Sequence, residues 1–358
     1  MQTSPTQGAA FSSSKRLASL DIFRGLTIAS MVLVNNQMSG AYTQLRHVEW
    51  SGWTFTDLVF PSFLWIAGVA ATLSTARRIE RGEDRGTLLA HAFRRTVIIF
   101  LLGVVLNFCF HPSFETARIP GVLQRIALCY FFGTLIYLYL PTKMQVLTVL
   151  ALFAVYWLGM APGGYEMGDN FAQRVDEALL PNHLYQQRNW DPEGFWSTLP
   201  SIGTFLFGVF TGTFLRSERR PGLLLLAGVL ATALGLALDT LQPINKALWT
   251  VSFTMLTAGI ATTVFAIIYW LVDIERQPTD GAKPLTIFGL NALGVYVFHE
   301  LVSLGFGLGG EASLRATYAG ILQGLGAANA SLVYGLTHVA ISFVFAWVLW
   351  RNRWFLKI

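Results

Sequence analysis

The sequence is organised around ten long apolar stretches, each close to the roughly 20 residues that an α-helix needs to cross a bilayer core. Only 13% of the residues are charged, whereas a soluble domain carries about 25%. This excludes a water-soluble enzyme, a disordered chain and a coiled coil. Period-two alternation is absent, and a helix satisfies its own backbone groups in lipid, so we predict an all-α polytopic membrane bundle. The predicted spans cover residues 20–38, 54–76, 92–110, 121–140, 144–162, 196–215, 222–239, 247–272, 285–305 and 330–350.

The basic residues between these stretches predict the orientation of the chain. If the N-terminus is cytoplasmic, 17 of the 25 Lys and Arg fall on the cytoplasmic side and 6 on the other, with Arg24 and Arg125 inside spans. Such a bias follows the positive-inside rule, so both termini should be cytoplasmic and the net charge of +5 gives no support for nucleic-acid binding. Residues 1–18 are predicted to be a polar disordered tail and 19–358 one transmembrane domain. The external loop 163–195 is long enough for a lid or a small surface structure.

Polar residues at the ends of the first two spans are the first candidates for a functional site. Asn35 ends the first span, His47 lies in the following external link, and Asp57 lies just inside the second span. A buried carboxylate seeks a partner, and histidine is the side chain that exchanges protons near neutral pH. The structural alternatives are interfacial capping for Asn35 and an interfacial structural role for His47, and both stay open.

Further intramembrane polar residues lie at similar predicted depths in later spans. Arg125 lies one turn into the fourth span and is either paired internally or directed at a substrate. Asn291 lies in the middle of the ninth span, with His299 and Glu300 near its outer end. Such residues usually face a bundle interior or a wet cavity, so they predict a site if these spans are neighbours. The sequence has no short-range metal-ligand pattern, and we expect no metal site.

Six segments in order along the chain carry a family resemblance: RLASLDIFRGLTIASMVLVNN, RHVEWSGWTFTDLVFPSFLWIAGVA, RIPGVLQRIALCY, DPEGFWSTLPSIGTFLFGVFTG, NKALWTVSFT and GLNALGVYVFHEL. Together they resemble the heparan-α-glucosaminide N-acetyltransferase family, including its bacterial members encoded with N-acetylglucosamine utilisation genes. The resemblance runs from about residue 16 to the C-terminus and implies a catalytic membrane core. It implies transfer of acetyl from cytoplasmic acetyl-CoA, as co-substrate, to an amino sugar on the far side of what we expect to be a bacterial inner membrane.

The resemblance also implies roles for individual residues. The family's proposed catalytic histidine falls on His47, with Asn35 and Asp57 as its neighbours in the site. His47 oriented by Asp57 is expected to act as a general base or to be acetylated first in a ping-pong route, and Asn35 to donate to the oxyanion. The candidates for the phosphates of acetyl-CoA are Arg24, Arg78 and Arg95. The alternative for Arg24 is an i,i+3 pair with Asp21 at the start of the helix, and for the two cytoplasmic-loop arginines it is topology signalling. The candidates for sugar hydroxyls or the cofactor are Arg125, Asn291, His299 and Glu300.

Two other classes of function stay open. A transporter for N-acetylglucosamine or a related sugar would use the same intramembrane polar residues and aromatic belts, and a structural membrane protein would tolerate the loss of His47 and Asp57. Uptake of sugar without acetyl-CoA would favour transport, and an acetyl-CoA-dependent product would favour the enzyme. The sequence leaves the acceptor and the oligomeric state, monomer or homodimer, open.

Overall fold

The computed structural model of the chain describes residues 17–218, 220–305, 319 and 324–356. Most of the predicted tail 1–18 therefore lies outside the described residues. The described part contains helices and connecting loops, and no strand occurs within it. The helices are α1 Ala18–Asn35, α2 Phe55–Glu80, α3 Arg85–Phe110, α4 Val122–Tyr139, α5 Thr142–Met160, α6 Phe171–Leu179, α7 Thr198–Ser217, α8 Pro221–Leu238, α9 Val251–Tyr269, α10 Lys283–Leu290, α11 Ala292–Gly305 and α12 Ala327–Arg351.

Among the described residues, nine helices are long and apolar enough to cross a membrane, and α10 with α11 forms a bent pair that makes a tenth candidate span. The chain is therefore an integral membrane protein with an all-α fold, which confirms the predicted architecture. Helix ends lie within a few residues of the predicted bounds for most spans. The orientation with both termini in the cytoplasm stays a prediction.

The ninth predicted span, 285–305, is not one continuous helix. Helices α10 and α11 meet at 74°, and Asn291 between them has non-helical backbone angles (φ −125°, ψ 39°). Its side chain donates from Nδ2 to Trp354 O (3.0 Å) and accepts at Oδ1 from Leu356 N (3.1 Å). The break is therefore tied to the chain segment after α12, which explains a polar amide in the middle of an apolar run.

The centre of the bundle is the crossing of α2 and α7. A Cβ atom on Gly68 would lie 2.1 Å from Phe205 O, and one on Gly208 would lie 2.0 Å from Trp65 O. Glycine at both positions lets the two backbones touch, as small residues do at helix interfaces in membranes. In contrast, α8 exposes large apolar side chains such as Leu230 (59% exposed), which suits a lipid-facing helix.

The long loop between α5 and α7 is attached to the bundle rather than free. It contains α6, whose Asp176 accepts at Oδ1 from Phe195 N (2.7 Å). Arg125 of α4 donates to Pro192 O (3.0 Å) and Gly194 O (2.9 Å), and also to Ser197 Oγ. The bond to Asp176 braces the loop internally, and the bonds from Arg125 hold residues 191–197 against the bundle, where Pro192 and Glu193 line a cavity.

Candidate functional site

A cavity of about 610 Å³ lies at the end of the bundle where α1 ends and α2 begins. Its walls come from α1, the α1–α2 link, α2, the end of α3, the α3–α4 loop, α4, the α5–α7 loop, the α8–α9 loop and α11. Aliphatic and aromatic side chains supply most of the wall, and a few charged groups converge on it. This combination is typical of a small-molecule site. The predicted site residues that line it are Asn35, His47, Asp57, His299 and Glu300.

The structure brings His47 and Asp57 together in this cavity. His47 Nδ1 lies 2.6 Å from Asp57 Oδ1, with the imidazole half exposed (50%) and the carboxylate almost fully buried (1%). An ionised carboxylate only accepts hydrogen bonds, so Nδ1 carries a proton, and in the neutral ring Nε2 is then the acceptor. An imidazole oriented in this way can act as a general base.

Asp57 is held by the first turn of α2. It accepts at Oδ2 from Thr54 N (3.1 Å) and from Thr54 Oγ1 (3.0 Å), which completes a capping box at the start of the helix. A carboxylate at a helix N-terminus is also stabilised by the helix dipole. The same side chain therefore caps α2 and orients His47, and the TFTD sequence is what allows both.

Lys246 is the third member of this cluster, and the sequence analysis did not single it out. It comes from the α8–α9 loop, and its Nζ lies 3.0 Å from His47 Nδ1 and 3.5 Å from Asp57 Oδ1. Burial holds the pKa of Lys246 below its usual value, although the nearby carboxylates of Asp57 and Glu193 act against this shift. The sequence feature that could have indicated this residue is its position in the NKALWT segment, on the predicted non-cytoplasmic side, which carries few other basic residues.

A second charged cluster forms another part of the cavity wall. Arg118 donates to both oxygens of Asp191 (2.8 and 2.6 Å) and to Glu193 Oε2 (2.5 Å). Burial lowers the pKa of Arg118, but Asp191 and then Glu193 outweigh it and hold that pKa well above its usual range. Burial raises the pKa of Glu193, but Arg118 and the other nearby cations bring it below its usual range. The Glu193 carboxylate and the guanidinium are therefore charged.

Aromatic rings form the rim between these two clusters. Trp50 and Trp190 meet edge to face with centroids 5.3 Å apart, and Tyr185 lies 6.1 Å from Trp190. The guanidinium of Arg118 lies 4.8 Å from the Tyr185 ring centroid. Trp50 Nε1 also donates to Tyr165 O (2.7 Å), which ties the α1–α2 link to the α5–α7 loop. The rim is thus preformed and offers flat apolar faces beside charged groups.

Asn35 and His299 line the cavity from two different helices. Within the described ranges the Asn35 side chain makes no hydrogen bond, so its amide is available to a ligand. Its neighbour Asn36 donates to Val32 O (2.7 Å) and lies 3.4 Å from His299 Nδ1. Behind His299, the ring of His338 lies 6.5 Å away. In the described part of the chain, no group of three or more His, Cys, Asp or Glu is arranged to hold a metal ion.

The other five predicted site residues lie outside this cavity. Arg78 pairs with Glu83 (2.6 Å) in the α2–α3 turn, and the Arg95 guanidinium lies over the Tyr130 ring (4.9 Å). Arg24 lies 3.2 Å from Asp21 near the start of α1. The remaining two residues, whose polar atoms bind the protein's own backbone, are Arg125 and Asn291. For Arg125 the structure thus shows the internal pairing that the sequence left open.

The fold and the cavity define a polytopic membrane protein with a preformed polar site at one end of a helical bundle. The chain belongs to the heparan-α-glucosaminide N-acetyltransferase family, since the family model "Heparan-alpha-glucosaminide N-acetyltransferase, catalytic" matches residues 16–234. This confirms the resemblance. The matched range contains His47, Asp57 and Glu193, and Lys246 lies beyond it.

Two curated proteins, both named heparan-alpha-glucosaminide N-acetyltransferase, are similar to the chain. The protein of Mus musculus is 28% identical over 415 residues, covering 97% of this chain and 61% of that protein. The protein of Homo sapiens is 29% identical over 354 residues, covering 80% of this chain and 53% of that protein. The chain therefore spans between about half and three fifths of the length of these relatives.

Proposed function

We propose that the protein is a transmembrane N-acetyltransferase that moves acetyl from cytoplasmic acetyl-CoA to the amino group of a glucosamine-type sugar on the other face. The names of the relatives supply the reaction class. The observation that carries the proposal for this chain is the His47–Asp57 pair in a cavity at the end of the bundle. Asp57 also caps α2, so the feature that favours an enzyme is the half-exposed imidazole that this carboxylate directs into the cavity.

His47 supplies the base that this reaction requires. A sugar ammonium has no lone pair, so one proton must leave the nitrogen before it attacks a thioester carbonyl. His47 Nε2 accepts that proton while Asp57 holds the Nδ1 proton and stabilises the imidazolium that forms. The C–N bond forms, the C–S bond breaks, and the imidazolium returns its proton to the thiolate of coenzyme A. The second proton that the nitrogen loses on becoming an amide passes to solvent.

Asn35 is placed to stabilise the charge that develops in this step. Its amide lines the same cavity and has no partner within the described ranges. A hydrogen bond from Asn35 Nδ2 to the carbonyl oxygen strengthens as that oxygen becomes negative, and one such donor contributes about 10²–10³ in kcat. The alternative in which His47 is itself acetylated first uses the same oxyanion donor, and the two routes differ only in the nucleophile.

The depth of the cavity supports donor entry from the opposite end of α1. The cavity is lined along α1 from Asn35 down to Thr27, which is roughly 12 Å at 1.5 Å per residue. Arg24 lies one further turn towards the predicted cytoplasmic end. A pantetheine arm within this cavity, with its phosphates near Arg24, would present the thioester to His47 without moving either substrate across the membrane.

The direct test is acetyl transfer by purified protein in proteoliposomes. Acetyl-CoA labelled with ¹⁴C in the acetyl group is added on one side, with glucosamine on the other, and labelled product is measured. We expect His47→Ala to lower the rate about 10²–10⁴-fold, the range attributed to general acid–base catalysis. The matched control is His111→Ala, an exposed histidine at the same end of the bundle that does not line the cavity.

The outcomes separate the rival functions. Labelled product that depends on both His47 and acetyl-CoA supports the transferase. Uptake of labelled N-acetylglucosamine without acetyl-CoA, unchanged in His47→Ala, would instead show a transporter. Acetyl label retained on His47 in the absence of sugar would assign the ping-pong route, and release of coenzyme A only in the presence of sugar would assign direct transfer.

A further inference from the structure

Lys246 stands beside the proposed base in a position that affects its protonation. Its Nζ lies 3.0 Å from His47 Nδ1, 3.4 Å from His47 Nε2 and 3.5 Å from Asp57 Oδ1. The lysine side chain is largely enclosed, with 17% of its surface exposed. The ammonium therefore lies beside the imidazole ring and shares with it one carboxylate oxygen.

This geometry opposes a second proton on the ring. Asp57 alone would favour the imidazolium, because a buried carboxylate attracts a positive partner. An imidazolium that already carries its proton is no longer a base. The ammonium of Lys246 repels that positive charge from 3.0 Å and is a second positive partner for the carboxylate. Asp57 then stays ionised without requiring His47 to be charged.

The other charged groups near Lys246 and His47 affect the lysine less than Asp57 does. The groups that act on Lys246 besides Asp57 are Glu193, which attracts it, and Arg125, which repels it. Glu193 is itself paired with Arg118 (2.5 Å), which reduces its pull on the lysine. The other titratable or charged residues that line the same cavity are Glu49, Arg118, Tyr185, Tyr296, His299 and Glu300.

We propose that Lys246 is a positioning residue that keeps His47 in its neutral, proton-accepting form beside an ionised Asp57. This inference rests on the proposed transferase function for its catalytic consequence, but the effect on His47 titration does not depend on that function. The proposal gives a role to Lys246 of the NKALWT segment, a residue that takes no part in the bond-making and bond-breaking steps. It also predicts that the positive charge, and not the shape of the lysine side chain, is what matters.

The first test measures the titration of His47 directly. The six histidines of the full chain are labelled with ¹³C and ¹⁵N in the imidazole, and His47→Gln assigns the signal of interest in detergent-solubilised protein. In Lys246→Met the titration midpoint should rise by at least about 0.7 pH unit, the Coulomb effect of one charge at 4 Å under the full screening of bulk water. In Lys246→Arg, which keeps the charge, the midpoint should stay near that of the wild type.

The second test follows the rate of acetyl transfer with pH. In Lys246→Met the acidic limb of the kcat/KM profile should move to higher pH by the same amount as the His47 midpoint. The loss of kcat/KM should be greatest below neutral pH and small above the new midpoint. The control Lys143→Met removes an exposed lysine at the start of α5 and should leave the profile unchanged. Size-exclusion chromatography confirms that each variant is folded.

The results distinguish the inference from the function it serves. A His47 midpoint that is the same in wild type and Lys246→Met overturns the inference, as does a loss of rate that is uniform at every pH, which would show a merely structural lysine. A shifted midpoint in a protein that transfers no acetyl group at all would uphold the inference about Lys246 and reject the proposed transferase.

Discussion

Asp57→Asn is the substitution that separates orientation of the base from the architecture of the site. In the wild type one carboxylate oxygen accepts from His47 Nδ1 (2.6 Å), and the other accepts from Thr54 N (3.1 Å) and Thr54 Oγ1 (3.0 Å). An asparagine keeps its carbonyl oxygen for Thr54, so the cap of α2 survives. Its amide then faces His47 as a donor. The imidazole must present a lone pair at Nδ1, and Nε2 becomes protonated and unable to accept the proton of the amine.

The size of both effects follows from the one hydrogen bond that the substitution reverses. An analogous substitution in a Ser-His-Asp triad, which also leaves the wrong tautomer, lowers kcat about 10⁴-fold, so we expect a fall of about 10³–10⁴-fold here. The hydrogen bond from a histidine to a charged acceptor contributes about 1.5–3 kcal/mol. Its loss is partly offset because a neutral amide is cheaper to bury than a carboxylate. The free energy of unfolding should therefore change by less than about 2 kcal/mol.

The assay is kcat for acetyl transfer between pH 6 and 9, combined with thermal unfolding of the detergent-solubilised protein. Asp280→Asn, which alters an exposed carboxylate before α10, is the matched control and should behave as the wild type. Asp57→Asn protein that unfolds like the wild type and retains kcat within about tenfold would refute the reasoning, because His47 would then work without the partner that orients it.

Two further predictions concern the scaffold. Gly68→Ala should lower the free energy of unfolding by about 1–3 kcal/mol, the usual cost of overpacking, because the new Cβ meets Phe205 O at 2.1 Å. The control is Gly222→Ala, where a new Cβ has nothing within 4 Å. Equal stability of the two variants would contradict the tight α2–α7 crossing. Burial raises the pKa of Asp176 from 3.8 to about 7. The folded state therefore binds the proton of Asp176 more tightly than the unfolded state does. The stabilisation of the fold by this proton is fully present below pH 3.8 and is lost as the pH rises through about 7. Asp176→Asn should flatten this part of the stability–pH curve, and an unchanged slope would refute the assignment.

The fold was largely predictable because membrane insertion imposes one strong rule on the sequence. Each span must be long, apolar and helical, so the predicted spans 54–76 and 121–140 closely match the helices Phe55–Glu80 and Val122–Tyr139. The break at Asn291 was not predictable, because the cause of the break is a contact with residues Trp354 and Leu356 more than sixty positions away.

The site was predictable only where its residues are close in sequence or polar in an apolar setting. His47 and Asp57 are ten positions apart and both stand out in their surroundings. Lys246, 199 positions from His47, resembles any loop lysine until the fold brings it there. Arg125 shows the converse: a buried arginine signals importance, but only the structure shows that its donors go to the backbone of the α5–α7 loop.

The central claim is that a thioester reaches His47 through the bundle. A structure of the full chain with a non-reactive acetyl-CoA analogue, in which a methylene replaces the thioester sulfur, measures this directly. The account predicts the analogue's carbonyl in the 610 Å³ cavity, within about 3.5 Å of the Asn35 amide and about 4 Å of His47 Nε2, distances set by hydrogen bonding and near-attack geometry. A carbonyl bound elsewhere, with His47 separated from it by protein, would contradict the account.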